Sequence, residues 1–225
     1  MSPQQLFRPL PDIASIGDRL LVDVGDCEVR ILAAVQNPDI MVLENLLSPY
    51  ECQAIIKAAE PRMTRSTTVN ADTGGSQVHA ARTSDGMFFK RGEIEVIGKL
   101  EARIAKLLRW PVENGEGMQI LRYGPGAEYK PHYDYFDPAN KGSETNLKRG
   151  GQRVATLIMY LNEPEAGGAT VFPEVPLAVL PKVGSAVFFR YPQATPASRS
   201  IHGGAAVSAG VKWVATKWLR EGVFI

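Results

Sequence analysis

Beyond Met118 the hydrophobic positions of the chain fall into short runs of strand length. Met118 to Tyr123, Val154 to Leu161, Thr170 to Phe172, Val183 to Phe189 and Val211 to Leu219 are short apolar runs punctuated by Gly, Pro and Asn, the pattern of strands. Val154 to Leu161 is apolar on both faces, which predicts a strand covered on both sides. Upstream, Val29 to Val35 and Ile40 to Leu43 flank Asn37-Pro38-Asp39, a turn signature between two strands. Two segments carry helical spacing instead. Ser48-Pro49-Tyr50-Glu51 supplies an N-cap serine, a first-turn proline and a glutamate at the third position, and Cys52, Ile55, Ile56 and Ala59 follow as one buried stripe that Pro61 should stop. Ile94, Ile97, Leu100, Ile104, Leu107 and Leu108 predict a second helix from about Glu93 to Leu108, ended by Trp110-Pro111.

The expected architecture is therefore mainly β with supporting helices: a twisted two-sheet barrel backed by N-terminal helices. A chain of 225 residues with 44% hydrophobic content can bury one substantial core, so a single domain over residues 1–225 is expected, with 1–27 as an N-terminal arm and 118–220 as the barrel. Everything past Met118 reads as strand or connection. Two connections are long enough to be functional: Ser66 to Ser84, with Gly74-Gly75, and Asp137 to Gly151.

Charge narrows the function by exclusion. A formal net charge of +1 leaves no electrostatic footprint for nucleic acid or an anionic membrane, and neither is expected as a partner. No apolar run approaches the length that spans a bilayer. Cys27 and Cys52 lack metal-ligand spacing, and Met1 to Leu10 has no apolar signal core, so the cytoplasm is the default expectation.

The chemistry-bearing residues are His132 and Asp134, in Pro131-His132-Tyr133-Asp134-Tyr135-Phe136, and His202, in Ser200-Ile201-His202-Gly203. Two imidazoles and one carboxylate are the ligand set of non-haem Fe(II) oxygenases, holding one face of the metal and leaving the other open. On a strand, i and i+2 share a face, so His132 and Asp134 are expected to reach one ion while Tyr133 points away. In the last strand, alternation groups Lys212, Val214, Thr216 and Trp218 on one face and Val211, Trp213, Ala215, Lys217 and Leu219 on the other. A lysine inside a barrel needs a partner. A ligand carboxylate would suit Lys212. The opposite phase, with Lys212 in solvent and Lys217 in the core, is equally consistent with the spacing. His79 is expected to be an exposed imidazole rather than a spare ligand.

Four runs in order, Gln119 to Gly126, Tyr129 to Phe136, Gly167 to Pro173 and Lys212 to Trp218, resemble the prolyl 4-hydroxylases, with the resemblance reaching from residue 40 to 220. It implies a single-domain, bacterial-type 2-oxoglutarate- and Fe(II)-dependent dioxygenase on a double-stranded β-helix of jelly-roll or cupin-like form. His132, Asp134 and His202 are then the metal ligands and the catalytic centre. By the same resemblance Lys212 pairs with the distal carboxylate of 2-oxoglutarate, helped by Tyr123 and Thr170. The implied reaction hydroxylates prolyl residues at C4 in a peptide or protein, consumes dioxygen, gives succinate and CO2, and uses L-ascorbate as reductant. A related halogenating branch lacks the carboxylate that Asp134 supplies, so Asp134 favours hydroxylation.

Resemblance also places a flap over the peptide substrate at Ser66 to Ser84, and carries substrate-side roles to Arg82, Ser84, Glu116, Tyr129, Arg153 and Trp218. Read without it, Tyr129 and Trp218 could be core aromatics and Arg153 a surface charge. The family's Gly-Gly-Glu-Thr is Gly167-Gly168-Ala169-Thr170 here, so one carboxylate is missing beside Thr170. Two other readings are the same chemistry on free proline or another small molecule, and a metal-free barrel kept as a peptide-binding module. The second predicts loss of a ligand or of Lys212, and both are retained. A homodimer is left open.

Overall fold

The computed structural model describes residues 20–66, 68–69, 75–77 and 83–225. In chain order its strands are β1 (Leu21–Asp23), β2 (Glu28–Gln36), β3 (Asp39–Glu44), β4 (Thr64–Arg65), β5 (Thr68–Val69), β6 (Ser76–Gln77), β7 (Asp85–Phe89), β8 (Met118–Tyr123), β9 (Tyr129–His132), β10 (Arg153–Tyr160), β11 (Ala166–Gly167), β12 (Thr170–Phe172), β13 (Leu177–Val179), β14 (Ala186–Arg190), β15 (His202–Gly204), β16 (Val207–Ala209) and β17 (Lys212–Arg220). The α-helices are α1 (Pro49–Ala59), α2 (Glu95–Leu108) and α3 (Ser143–Leu147). Most strands join a large sheet ordered β1-β2-β3-β14-β10-β17-β8-β7-β4, faced by a smaller one ordered β13-β12-β15-β9. This is the jelly-roll arrangement expected from the sequence.

Period-two alternation sorts the large sheet into two chemistries. Met41 and Leu43 of β3, Met118 and Ile120 of β8, Ala155, Leu157 and Met159 of β10, Phe188 of β14 and Ala215 of β17 pack with Cys52, Ile55, Leu100, Ile104 and Leu107 of the helices. The intervening residues, among them Leu121, Tyr123, Tyr160, Val187, Phe189 and Val214, meet Phe172 and Val179 of the small sheet. That is why Val154 to Leu161 carries apolar residues on both faces. β10 lies between β14 and β17, and its two faces feed two separate cores.

Helix α1 begins as its sequence predicts: the Ser48 hydroxyl accepts from Glu51 N–H, and the Glu51 carboxylate accepts from Ser48 N–H at 2.8 Å. Arg103 of α2 grips the same Glu51 and also Asp26, tying both helices to the start of β2. Pro61 does not stop the chain turning. The α-helix ends at Ala59 and runs into a 3₁₀ turn, Glu60–Arg62, whose first positions tolerate a residue without an N–H. Helix α2 starts at Glu95, with Arg109 in a left-handed cap after its last residue.

Two expectations about the second half need correction. The connection after Phe136 is not all irregular, because α3 forms within it. The strand expected from Val183 begins at Ala186: Gly184 takes a left-handed turn (φ 74°), where an added Cβ would lie 2.1 Å from the Leu47 carbonyl oxygen. The arm proposed for 1–27 is described only from residue 20, where Leu21–Asp23 already pairs with β2. His79, Arg82 and most of the expected flap lie outside the described residues.

Candidate active site

His132 and His202 are far apart in sequence but opposite each other across the β9–β15 ladder, with ring centroids 4.4 Å apart. That approach needs Gly203, where a Cβ would sit 2.9 Å from the Tyr129 carbonyl oxygen. Asp134 completes the set from a different element. β9 ends at His132, so Asp134 stands on the bend that follows and not, as its i+2 spacing suggested, on the same strand. Its Oδ1 lies 3.4 Å from His132 Nε2 and its Oδ2 lies 3.5 Å from His202 Nε2. One ligand atom from each residue falls within 4.8 Å of the others.

The hydrogen bonds around the triad prepare it for a metal. His132 Nδ1 faces the Lys130 carbonyl at 2.9 Å and His202 Nδ1 faces the Ser200 carbonyl at 3.0 Å. A carbonyl only accepts, so in each neutral ring Nδ1 holds the hydrogen and Nε2 offers its lone pair inward. Burial pushes His202 down to about 4 despite the pull of Asp134, leaving it uncharged and ligand-ready at neutral pH. Burial works against ionisation of Asp134 too, but His202, His132 and Arg153 together hold its carboxyl far below the usual range. Two imidazole nitrogens and one carboxylate oxygen, convergent, with Asp134 and His202 buried and His132 partly so, fit Fe(II).

The same pocket, lined by these three residues, also contains Lys212, Tyr123, Thr170, Tyr129, Thr216 and Trp218. Lys212 is 4% exposed and makes no ion pair with any described residue; burial alone pushes its ammonium down to about 8. Its Nζ rests 5.6 Å from the Tyr123 ring centre and 5.5 Å from that of Tyr160. Tyr160, not anticipated from the sequence, donates its hydroxyl to Thr170 Oγ1 at 2.7 Å. The Thr170 hydrogen is thereby left for a ligand. Gly168 (φ 73°) lets this segment pass within 3.1 Å of the Lys212 side chain, measured from where its Cβ would be. Ala169 beside it is buried and adds no charge to the pocket wall.

The expected substrate contacts divide into two groups. Tyr129 stacks on the His132 ring at 3.7 Å and Trp218 stands in the pocket wall. The Trp218 indole Nε1 is buried with no hydrogen-bond partner among the described residues. Arg153 is no surface charge: it lies 3.9 Å from the Trp218 ring centre and forks onto Glu116 at 2.6 and 2.9 Å, while Arg220 reaches the same carboxylate. Glu116 and Arg153 thus occupy each other behind Trp218. Ser84 is fully buried, donates to Ser66 Oγ, and is not brought to the pocket.

Comparison with known proteins agrees with this geometry. Residues 118–220 match the family model described as the 2OG-Fe(II) oxygenase superfamily. Probable prolyl 4-hydroxylase 3 of Arabidopsis thaliana is 41% identical over 221 residues, covering 89% of this chain and 75% of that protein. Prolyl 4-hydroxylase 5 of the same plant is 43% identical, covering 81% and 68%. Among solved structures, the 2OG complex of the viral collagen prolyl hydroxylase vCPH from Paramecium Bursaria Chlorella virus-1 superposes with a TM-score of 0.63 at 30% identity, over 80% of this chain and 95% of that one. A Pseudomonas putida prolyl-4-hydroxylase, 18% identical, shares the fold with a TM-score of 0.54 over 80% of this chain and 92% of its own. With the triad, the lone ammonium and the jelly roll already in place, these likenesses show that the chain belongs to the prolyl 4-hydroxylase family of 2-oxoglutarate- and Fe(II)-dependent dioxygenases.

Proposed function

We propose that this enzyme hydroxylates prolyl residues at C4 within a peptide or protein, with succinate and CO2 as coproducts and L-ascorbate maintaining the ferrous state. One observation carries the reading: a single pocket holds both a metal-ligand triad and a buried ammonium with no ion-pair partner among the described residues. His132, Asp134 and His202 would hold Fe(II), which supplies the open coordination sites and redox capacity for oxygen activation when bound. Lys212 would receive the distal carboxylate of 2-oxoglutarate, the charge that its own environment lacks. Thr170, kept as a donor by Tyr160, and Tyr123 would orient the same end.

The peptide assignment rests on the other wall. Tyr129 and Trp218 offer aromatic faces to a pyrrolidine ring of an extended chain. Arg153, fixed by Glu116 and packed on Trp218, holds that indole in place. Apolar Leu121, Ile158 and Val214 complete the lining and limit water at the reacting carbon. Ser84, buried against Ser66, takes no part in this wall. Succinate release with Fe(II), ascorbate and 2-oxoglutarate, compared on proline-rich peptides and on free proline, tests it. Turnover is expected on peptides; efficient turnover of free proline with none on peptides would move the substrate to the small-molecule class.

A further inference from the structure

Each histidine of the triad is braced through its Nδ1 by a carbonyl two residues earlier, and each lies on a strand. Asp134 has neither support: it sits on a bend, outside any ladder. Its brace comes from elsewhere. Thr156, in the middle of β10 and fully buried, places Oγ1 2.7 Å from Asp134 Oδ2 and 2.9 Å from the Tyr191 hydroxyl.

The direction of this chain follows from hydrogen counting. A threonine hydroxyl owns one hydrogen, and an ionised carboxylate can only accept. The Thr156 hydrogen therefore goes to Asp134, and Tyr191 must donate to Thr156. Tyr191 is suited to that fixed role. Burial, reinforced by the charge of Asp134, keeps its phenol protonated well above its ordinary range, and its backbone N–H is tied to Val154 of β10. The β-branched Thr156 has little χ1 freedom on a strand, so the donor cannot easily swing away. Neither Thr156 nor Tyr191 lines the pocket. A second contact, from Arg153 Nη1 to the Asp134 carbonyl at 3.3 Å, holds the bend itself.

We propose that Thr156 and Tyr191 are positioning residues for the metal: a Tyr191 to Thr156 to Asp134 relay that fixes the rotamer of the one ligand not held by a strand, leaving Oδ1 as the oxygen free to bind. The inference rests on the metal reading above, and the experiment separates the two. The apo-protein is titrated with Co(II), followed by its absorption bands, in wild type, His132→Ala, Thr156→Val, Thr156→Ser and Tyr191→Phe, with melting temperature recorded for each. Loss of an outer hydrogen bond to a metal ligand typically weakens affinity by about 10- to 100-fold. Thr156→Val, nearly the same shape without the hydroxyl, is expected in that range, with altered Co(II) bands. Thr156→Ser, which keeps the donor, should stay within about threefold of wild type, and Tyr191→Phe should lie between, because it only removes the polarising donor. Affinity and bands unchanged in Thr156→Val, with binding lost in His132→Ala, would overturn the relay and leave the metal site standing. Unchanged Co(II) binding in His132→Ala would overturn both. If Thr156→Val does not fold, Thr156→Ala and Tyr191→Phe decide: wild-type affinity in both contradicts the proposal.

Discussion

Two lysines on one strand, Lys212 and Lys217, are 4% and 2% exposed and have opposite meanings. Lys217 projects toward the helices, where it donates to the Glu101 carboxylate of α2 and to the Glu116 carbonyl. Lys212 projects toward the small sheet, where no described carboxylate meets it. Burial pulls both ammonium groups down, but Glu101 resists the shift at Lys217 and nothing resists it at Lys212. A paired buried charge is part of the scaffold, and the one without a described counter-ion is the group proposed to receive a ligand carboxylate. The strand has one face toward the pocket and one toward the helices, and the roles proposed for its residues follow from the face each occupies.

The largest effects belong to the metal end of the binding face. His132→Ala should reduce turnover by roughly a thousandfold or more, since a metal's contribution to a transition state is several kcal/mol, and each 1.36 kcal/mol is tenfold. Its melting temperature should stay near that of wild type, because His132 is only partly buried. Full activity would remove the metal from the account.

The lysines give the next contrast. Removing one partner of a buried ion pair costs about 3 to 5 kcal/mol. Lys217→Ala, which strands Glu101, should therefore lower stability to chemical denaturation by about that much, with 2-oxoglutarate affinity little changed in the folded fraction. In Lys212→Ala the stranded charge is the ligand's: 2-oxoglutarate binding should weaken about 100-fold or more, at 1.4 kcal/mol per tenfold. Stability without ligand should hold or rise, as no protein partner is abandoned. Exchanged phenotypes, with Lys212→Ala unfolding and Lys217→Ala losing 2-oxoglutarate, would break the comparison.

A pH series sharpens it. Lys212 titrates near 8 in the free protein against 10.5 when exposed, so the unfolded chain binds more protons between those values. Ligand-free stability should gain a rising component over that window. Affinity for the 2-oxoglutarate dianion should be greatest below pH 8 and decline as the ammonium discharges above it. Calorimetric titration across pH 7 to 10 shows the decline, and Lys212→Met should flatten it. The smallest effect is expected for Tyr160→Phe, which frees Thr170 from its donor. A hydrogen bond is worth about 0.5 to 1.5 kcal/mol net, so the KM for 2-oxoglutarate should rise roughly two- to tenfold with kcat nearly unchanged.

Much of the architecture was legible because period-two alternation reports the face of a strand. The sequence grouped Lys212 with Val214, Thr216 and Trp218, and the structure keeps that grouping. It could not assign the faces to their partners. Both lysines turned out to be buried, an outcome that placing one in solvent and the other in the core did not include. The triad was readable from residue types alone, yet the reason given for Asp134 was wrong, since a bend and not a strand presents it. Thr156 carried a faint signal as the hydroxyl residue inside an otherwise apolar strand. Tyr191, Tyr160 and the Glu116–Arg153–Arg220 cluster carried none, because their partners are set by folding across distant stretches of sequence. Glu116 and Arg153 were expected at the substrate; the structure shows them bonded to each other, with Arg153 supporting Trp218 from behind.

The most direct test of the account is isotopic. A proline-rich peptide is incubated with Fe(II), 2-oxoglutarate and ¹⁸O-labelled dioxygen, and the product is sequenced by mass spectrometry and located by NMR. One labelled oxygen atom at C4 of a prolyl residue is predicted for wild type, at a similar level in any Lys217→Met protein that folds, and at no detectable level in His132→Ala or Lys212→Ala. Unlabelled peptide from the wild-type enzyme, or equal labelling by the Lys212→Ala variant, would contradict it.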